Sequence, residues 1–273
     1  MKISFIGGGN MAAALIGGLV ARGFAAPSIQ VVERLADARE RLAATHGVTC
    51  AADADAIVPG SDVIVLAVKP QQLAGVARTL APLVGRAVVI SIAAGMRLAD
   101  IRRWLGGDPT LALVRAMPNT PALIGMGITG LYAGPEVDPA ARTLAERILA
   151  AAGKVTWVER EQLLDPVTAV SGSGPAYVFY FLEAMQAAGT ALGLTADTAR
   201  ELALETFRGA AELAARSTED FATLRERVTS PGGTTERALA SMTGDGVAEA
   251  IGRALMAANT RAAELADQLG RTA

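Results

Sequence analysis

Two loops near opposite ends of this chain carry residue types suited to binding anions. In Gly232-Gly233-Thr234-Thr235, consecutive glycines expose backbone N–H groups ahead of a helical pattern. A helix N-terminus adds positive potential, and the two together make a carboxylate site. The Thr235 hydroxyl both donates and accepts, so it can serve a carboxylate or a ring nitrogen. The same stretch also reads as a capped helix start after the Pro231-Gly232 turn. The second loop, Ile6-Gly7-Gly8-Gly9-Asn10-Met11-Ala12, reads G-x-G-x-x-A between a strand pattern and a helix pattern. Gly7 permits a tight turn, Gly9 lets a pyrophosphate approach the backbone, and Ala12 allows close helix–strand contact.

A third segment, Val170-Ser171-Gly172-Ser173-Gly174-Pro175-Ala176-Tyr177, is equally rich in small residues. Ser173 is either a polar contact or the N-cap of the helix that follows, with Pro175 in its first turn. Glu33 stands 21 positions after Ala12, where an acidic residue accepts from the adenosine ribose and repels a 2′-phosphate. Arg34 follows at once and would accept that phosphate, so the neighbours give opposite predictions. Glu33 also reads as a solvated strand end.

The elements that position these loops follow from periodicity. Ile3–Ile6, Ile29–Val32, Val63–Leu66, Val88–Ser91 and Leu111–Val114 are short aliphatic runs suited to strands buried on both faces. Helical stretches such as Met11–Arg22 and Asp37–Thr45 alternate with them, which predicts βαβ units and a doubly wound, parallel Rossmann-type sheet with helices on both faces. Beyond Lys154-Val155-Thr156-Trp157 the pattern becomes helical over 175–191, 196–215, 233–243 and 247–268. The expected organisation is α/β: a dinucleotide-binding domain over 1–158, then an all-helical domain over 159–273.

Composition narrows the class. The 273 residues are 51% hydrophobic and 19% charged, the balance of a folded protein with a sizeable core. A formal net charge of −2 gives no basic field for nucleic acid. Gly7–Asn10 interrupt any signal-like apolar stretch, and no apolar run reaches the roughly 18 residues of a membrane span. Cys50 is the only cysteine, so a reducing compartment is expected, and the chain reads as soluble and cytoplasmic. No H-x-x-H, C-x-x-C or clustered-carboxylate pattern suggests a metal site. The helices of the C-terminal half are too apolar for a solvated bundle, and a second subunit is expected to cover them.

With these motifs assembled in order, the chain resembles the pyrroline-5-carboxylate reductase family over nearly its full length. The matching stretches are Phe5–Met11, Ala67-Val68-Lys69-Pro70, Ser91-Ile92-Ala93-Ala94-Gly95, Arg115-Ala116-Met117-Pro118-Asn119-Thr120-Pro121, Val170–Tyr177 and Ser230–Thr235. The resemblance implies a Rossmann domain, a helical dimerisation domain, and hydride transfer from NADPH or NADH to the imine carbon of 1-pyrroline-5-carboxylate, giving L-proline. It also implies that Ile6, Gly7, Gly8, Gly9, Asn10 and Met11 hold the pyrophosphate. Ala67, Val68, Lys69 and Pro70 would lie along the cofactor after the fourth strand. Ile92, Ala93 and Ala94 would lie beside the nicotinamide half after the fifth. Gly232, Gly233, Thr234 and Thr235 would bind the substrate, with Ser173 close by.

Lys69 also reads as a solvent-facing charge, and Asn119 as a plain turn residue. Three positions depart from the family pattern. Ala52-Asp53-Ala54-Asp55 stands where an asparagine often touches the adenosine end, Arg227 replaces an asparagine of some relatives, and Glu236 replaces a common apolar residue.

Only one histidine, His46, is present, and its place before Gly47 suggests a surface or cap residue. An alcohol-forming dehydrogenase needs a general acid–base group; an imine arrives protonated and needs mainly positioning. Thr235 is therefore the candidate catalytic residue, acting as a polar anchor. One alternative is a related reductase acting on another cyclic imine or a β-hydroxyacid; the latter needs a lysine or histidine near 171–191, and none is there. A nucleotide-binding sensor without turnover is the other.

Overall fold

In this computed structural model, residues 1–271 are described. Eight strands form one sheet in the order β3-β2-β1-β4-β5-β6-β7-β8. The strands are β1 (Ile3–Ile6), β2 (Ile29–Val32), β3 (Thr49–Ala51), β4 (Val63–Leu66), β5 (Val88–Ser91), β6 (Leu113–Met117), β7 (Gly127–Ala133) and β8 (Gly153–Trp157). The helices are α1 (Asn10–Ala21), α2 (Ala36–His46), α3 (Pro70–Leu80), α4 (Leu98–Trp104), α5 (Pro139–Leu149), α6 (Leu164–Val167), α7 (Gly174–Ala191), α8 (Ala196–Arg216), α9 (Phe221–Arg227), α10 (Thr234–Gly244) and α11 (Val247–Arg271).

Strands β1 to β6 pair in parallel with one another, as the aliphatic runs predict for all of them but β3. The pleat then sends alternate residues to opposite faces. Val63 and Val65 join a core with Ala12, Leu15, Ile16 and Leu19 of α1 and with Ile148 of α5. Ile64 and Leu66, between them in sequence, join a second core with Leu73, Ala77 and Leu80 of α3 and with Ile101 and Trp104 of α4. A strand buried on both faces has no polar side to alternate with, which is why Val63–Leu66 reads as an unbroken apolar tetrad.

Strand β7 departs from the expected run of parallel strands. It pairs antiparallel with β6, and β8 then pairs parallel with β7. Gly127 and Gly130 dilute the apolar signal of β7 in sequence. Both are demanded by packing: a Cβ at Gly130 would lie 2.6 Å from Val167, and one at Gly127 would lie 2.9 Å from Ala122. The run expected at 111–114 is displaced to Leu113–Met117, because Leu111 belongs to the core just before the strand.

The chain divides into two compact units, residues 1–173 with 257–273 and residues 174–256. The C-terminal part of α11 belongs to the first: Ala262 and Ala266 are buried, and Leu269 packs against the α3–α4 core. The second unit is wholly helical. Its main contact is α7 against α8, where Phe181 and Phe207 rings lie 6.4 Å apart. Phe179, Tyr180, Leu192, Leu213 and Phe221 of this unit are exposed. No helix among the described residues is long and apolar enough to cross a membrane.

Candidate active site

In the first unit, the chain leaves β1 for β2 and β3 on one side, then crosses back to β4 on the other. Ligands of open α/β sheets bind at this kind of reversal, outside the carboxyl ends of the strands. The residues after β1, β4 and β5 meet there. Gly7 N–H donates to the Val32 carbonyl at 2.8 Å, Ala67 N–H to Ile6 at 2.8 Å, and Ile92 N–H to Leu66 at 3.1 Å.

The three glycines of the first loop have separate reasons to be glycine. Gly7 has φ +102°, and a Cβ there would sit 2.9 Å from the Ala67 carbonyl oxygen. At Gly8 a Cβ would strike Leu42 at 2.5 Å. Gly9 is extended, with φ −69°, and a Cβ on it would meet nothing within 4 Å. Neither dihedral nor packing requires glycine at Gly9, so the free space beside it suits an incoming ligand. The first helical bond of α1 runs from Ala13 N–H to the Gly9 carbonyl at 2.9 Å. The amides of Asn10, Met11 and Ala12 therefore lack intrahelical acceptors, and no side chain caps them from Gly9. Open space next to free, dipole-aligned N–H groups fits a pyrophosphate.

Around this loop, Glu33 directly follows β2 and its Oε2 accepts from Gly8 N–H at 2.9 Å. Arg34 is exposed and makes no ion pair among the described residues, while Arg39 ties down the carbonyls of Glu33 and Arg34 at 2.8 and 2.7 Å. Lys69 is extended and directly precedes Pro70, the first residue of α3; its side chain is exposed. Ala94 is exposed beyond β5, whereas the Ala93 side chain is core. Asp53 is exposed after β3. His46 ends α2 before the left-handed Gly47, with its ring beside Gly17, away from these strand ends.

Ser173 closes the first unit. Its φ −86° and ψ −18° are helical rather than the extended geometry of an N-cap. The expected cap is therefore absent, because the backbone already turns helically through Thr168–Gly172. Ser171 Oγ donates to the Val167 carbonyl at 2.9 Å, whereas the Ser173 hydroxyl makes no bond among the described residues. Gly174 resembles Gly9, since a Cβ on it would meet nothing within 4 Å.

In the second unit, Gly232 (φ +71°) turns the chain into α10 and Gly233 is its N-cap, without a side-chain bond. The first helical bond runs from Arg237 N–H to the Gly233 carbonyl at 3.2 Å, which leaves the amides of Thr234, Thr235 and Glu236 without intrahelical acceptors. Thr235 is exposed. Glu236 folds back so that its Oε2 accepts from Gly232 N–H at 2.7 Å, and Arg227 pairs with Glu219.

A buried ionic cluster was not legible in sequence. Arg115 in β6 is 3% exposed, with Nη1 3.3 Å from Glu161 and Nη2 3.6 Å from Asp165. Asp165 also pairs with Arg97 at 2.9 Å, and Glu161 Oε1 accepts from Leu98 N–H at 2.8 Å. Burial pushes the Arg115 guanidinium below its ordinary pKa, and the two carboxylates pull it back up. The cluster ties the segment after β5 to the segment before Ser171. Its one sequence signal was an arginine inside the otherwise apolar run Leu113–Met117.

Comparison with known proteins finds matches to both the N-terminal and the C-terminal part of the chain. A family model for pyrroline-5-carboxylate reductase dimerisation matches residues 161–265, and one for NADP oxidoreductase, coenzyme F420-dependent, matches residues 2–95. A pyrroline-5-carboxylate reductase of Pseudomonas aeruginosa is 45% identical over 271 residues, covering 99% of this chain and 98% of that protein. The chain belongs to the pyrroline-5-carboxylate reductase family. A family member from Synechocystis is 42% identical over 97% of this chain and 98% of its own length. The solved structure of a pyrroline-5-carboxylate reductase from Coxiella burnetii superposes with a TM-score of 0.92 at 42% identity, covering 97% of this chain and 98% of that one. A Plasmodium falciparum family member, solved with NADP bound, gives a TM-score of 0.86 at 25% identity over 97% of this chain and 98% of its own. The mostly parallel sheet followed by a helical dimerisation domain is the architecture of this family.

Proposed function

We propose that this protein reduces 1-pyrroline-5-carboxylate to L-proline with NADPH or NADH, the last step of proline biosynthesis. The observation that carries the proposal is full-length identity of up to 45% with curated reductases of that name, joined to two uncapped helix N-termini. The amides of Asn10, Met11 and Ala12 suit a pyrophosphate; those of Thr234, Thr235 and Glu236 suit a carboxylate. NADP is the cofactor named for the matching oxidoreductase family and in the Plasmodium structure, which supports a nicotinamide dinucleotide here.

In this reading, Ile6–Met11, Glu33, Arg34, Ala67–Pro70 and Ile92–Ala94 hold the cofactor, over a domain spanning 1–158. The bound cofactor supplies the hydride. Ser173 and Gly232–Thr235, in a domain spanning 159–273, hold the substrate. The α10 amides take the substrate carboxylate, and the Thr235 hydroxyl orients the ring through the carboxylate or the nitrogen. The imine nitrogen arrives protonated, so the ring carbon is already electrophilic and no side chain need deliver a proton. Positioning alone then carries a large share of the rate. Helix α7 holds no lysine or histidine, which disfavours a β-hydroxyacid as substrate.

The dimerisation match and the exposed apolar residues of the second unit support self-association; a homodimer or a ring of dimers is the proposed assembly, in the cytoplasm. Initial-rate oxidation of NADPH and NADH by purified protein with 1-pyrroline-5-carboxylate, following proline, tests the reaction. Cofactor binding without proline formation would overturn it.

A further inference from the structure

Asn119 leaves β6 directly after Pro118 and is only 9% exposed. It precedes the short helical turn Thr120–Ile124, yet its side chain does not cap that turn. A turn asparagine bonds to backbone two or three residues on; this one reaches much further. Its Oδ1 accepts from Ile128 N–H at 2.9 Å, and its Nδ2 donates to the Ser171 carbonyl at 3.1 Å, across 52 residues of sequence. The Ser171 carbonyl belongs to the wide π-type turn Thr168–Gly172, whose geometry leaves carbonyls displaced from ordinary helical partners, and such turns recur at functional sites.

A second contact reinforces the grip. Met117, two residues before Asn119, fills the space beside Gly172, where a Cβ would lie 2.5 Å from the Met117 Cε. Within the gripped turn, the Ser171 hydroxyl is engaged by the Val167 carbonyl, and Ser173 N–H donates to the Thr168 carbonyl at 2.8 Å. The Ser173 hydroxyl is the polar group left without a partner among the described residues.

We infer that Asn119 is a positioning residue: through the Ser171 carbonyl it fixes the wide turn that aims the Ser173 hydroxyl at the substrate. This rests on the reading of Ser173 as a substrate contact in the proposed reductase. Asn119 itself touches neither substrate nor cofactor in this role.

Asn119→Asp keeps the acceptor for Ile128 N–H but sets an oxygen against the Ser171 carbonyl. The expected result is a loss of about tenfold in kcat/KM for 1-pyrroline-5-carboxylate, with NADPH affinity unchanged and faster amide exchange over 170–174. Ser173→Ala in the Asn119→Asp background should cost little more, because the two act through one group. If the two losses multiply independently, or if NADPH affinity falls in proportion, the inference fails. Should Asn119→Asp not fold, Gly172→Ala pushes on the same turn. It should show the same selective loss, and adding Met117→Ala should restore activity by making room. No restoration would overturn the inference. Amide exchange needs no substrate, so unchanged exchange over 170–174 sinks the positioning role by itself. Faster exchange in a protein that never forms proline would instead sink the reductase reading.

Discussion

Gly8 donates its backbone N–H to Glu33 Oε2 at 2.9 Å, and the other carboxylate oxygen accepts from Leu35 N–H at 3.0 Å. Both oxygens of Glu33 are thus held by main-chain donors at the tip of β2, against the glycine loop. A carboxylate fixed there would accept from ribose hydroxyls and repel a 2′-phosphate, whereas Arg34 beside it is exposed and without an ion-pair partner among the described residues. Glu33→Ala should raise the ratio of kcat/KM for NADPH over NADH by about tenfold, which corresponds to roughly 1.4 kcal/mol. Arg34→Ala should lower that ratio. Paired initial-rate measurements at one ionic strength check both, and an unmoved ratio in both variants would remove this strand tip from cofactor choice.

Gly7 and Gly9 predict opposite kinds of failure. Alanine at Gly7 meets a left-handed backbone and the Ala67 carbonyl, so Gly7→Ala should lower the melting temperature before it affects any ligand. At Gly9 an added Cβ meets no protein atom within 4 Å; Gly9→Val should melt close to the parent yet bind NADPH at least about tenfold more weakly. Thermal melts with and without NADPH separate the two. A Gly9→Val protein with parental affinity would show that the free space is not where the pyrophosphate lies.

Arg115 joins a strand in the sheet to two carboxylates with almost no access to water. Arg115→Met leaves Glu161 without its buried cation and Asp165 with Arg97 alone, so it should destabilise the protein by about 3 kcal/mol. Removing the stranded charge as well, in Arg115→Met with Glu161→Gln, should return part of that loss. Urea midpoints at unchanged slope report the difference. A shift under about 1 kcal/mol for Arg115→Met would mean that water reaches the cluster.

The parallel strands, the glycine loop and the helical C-terminal half were legible because each is written in consecutive residues: apolar tetrads, G-x-G-x-x-A, and long alanine-rich helical periods. Glycine-diluted β7 was not, since its glycines answer to Val167 and to the Ala152 carbonyl across the fold. Neither was the Arg115 cluster, assembled from three separate segments. Ser173 was open between a cap and a contact, and its helical dihedrals remove the cap. Local chemistry shows in sequence, while charges and small residues matched to distant partners become visible only once the chain is folded.

Thr235 offers the most direct test of the substrate end. Its hydroxyl is exposed and unengaged among the described residues, at the second position of α10, where the amides of Thr234, Thr235 and Glu236 remain free. A hydrogen bond to a charged group contributes about 1.5–3 kcal/mol, so Thr235→Ala should lower kcat/KM for 1-pyrroline-5-carboxylate by roughly 10- to 100-fold. Thr235→Ser, which keeps the hydroxyl, should recover most of it. NADPH affinity should not move in either variant, because the glycine loop and the strand ends proposed to hold it lie in other segments. Fluorescence titration of NADPH beside steady-state kinetics gives both readings. Parental kinetics in Thr235→Ala would leave the α10 amides as the anchor and take the hydroxyl out of the site.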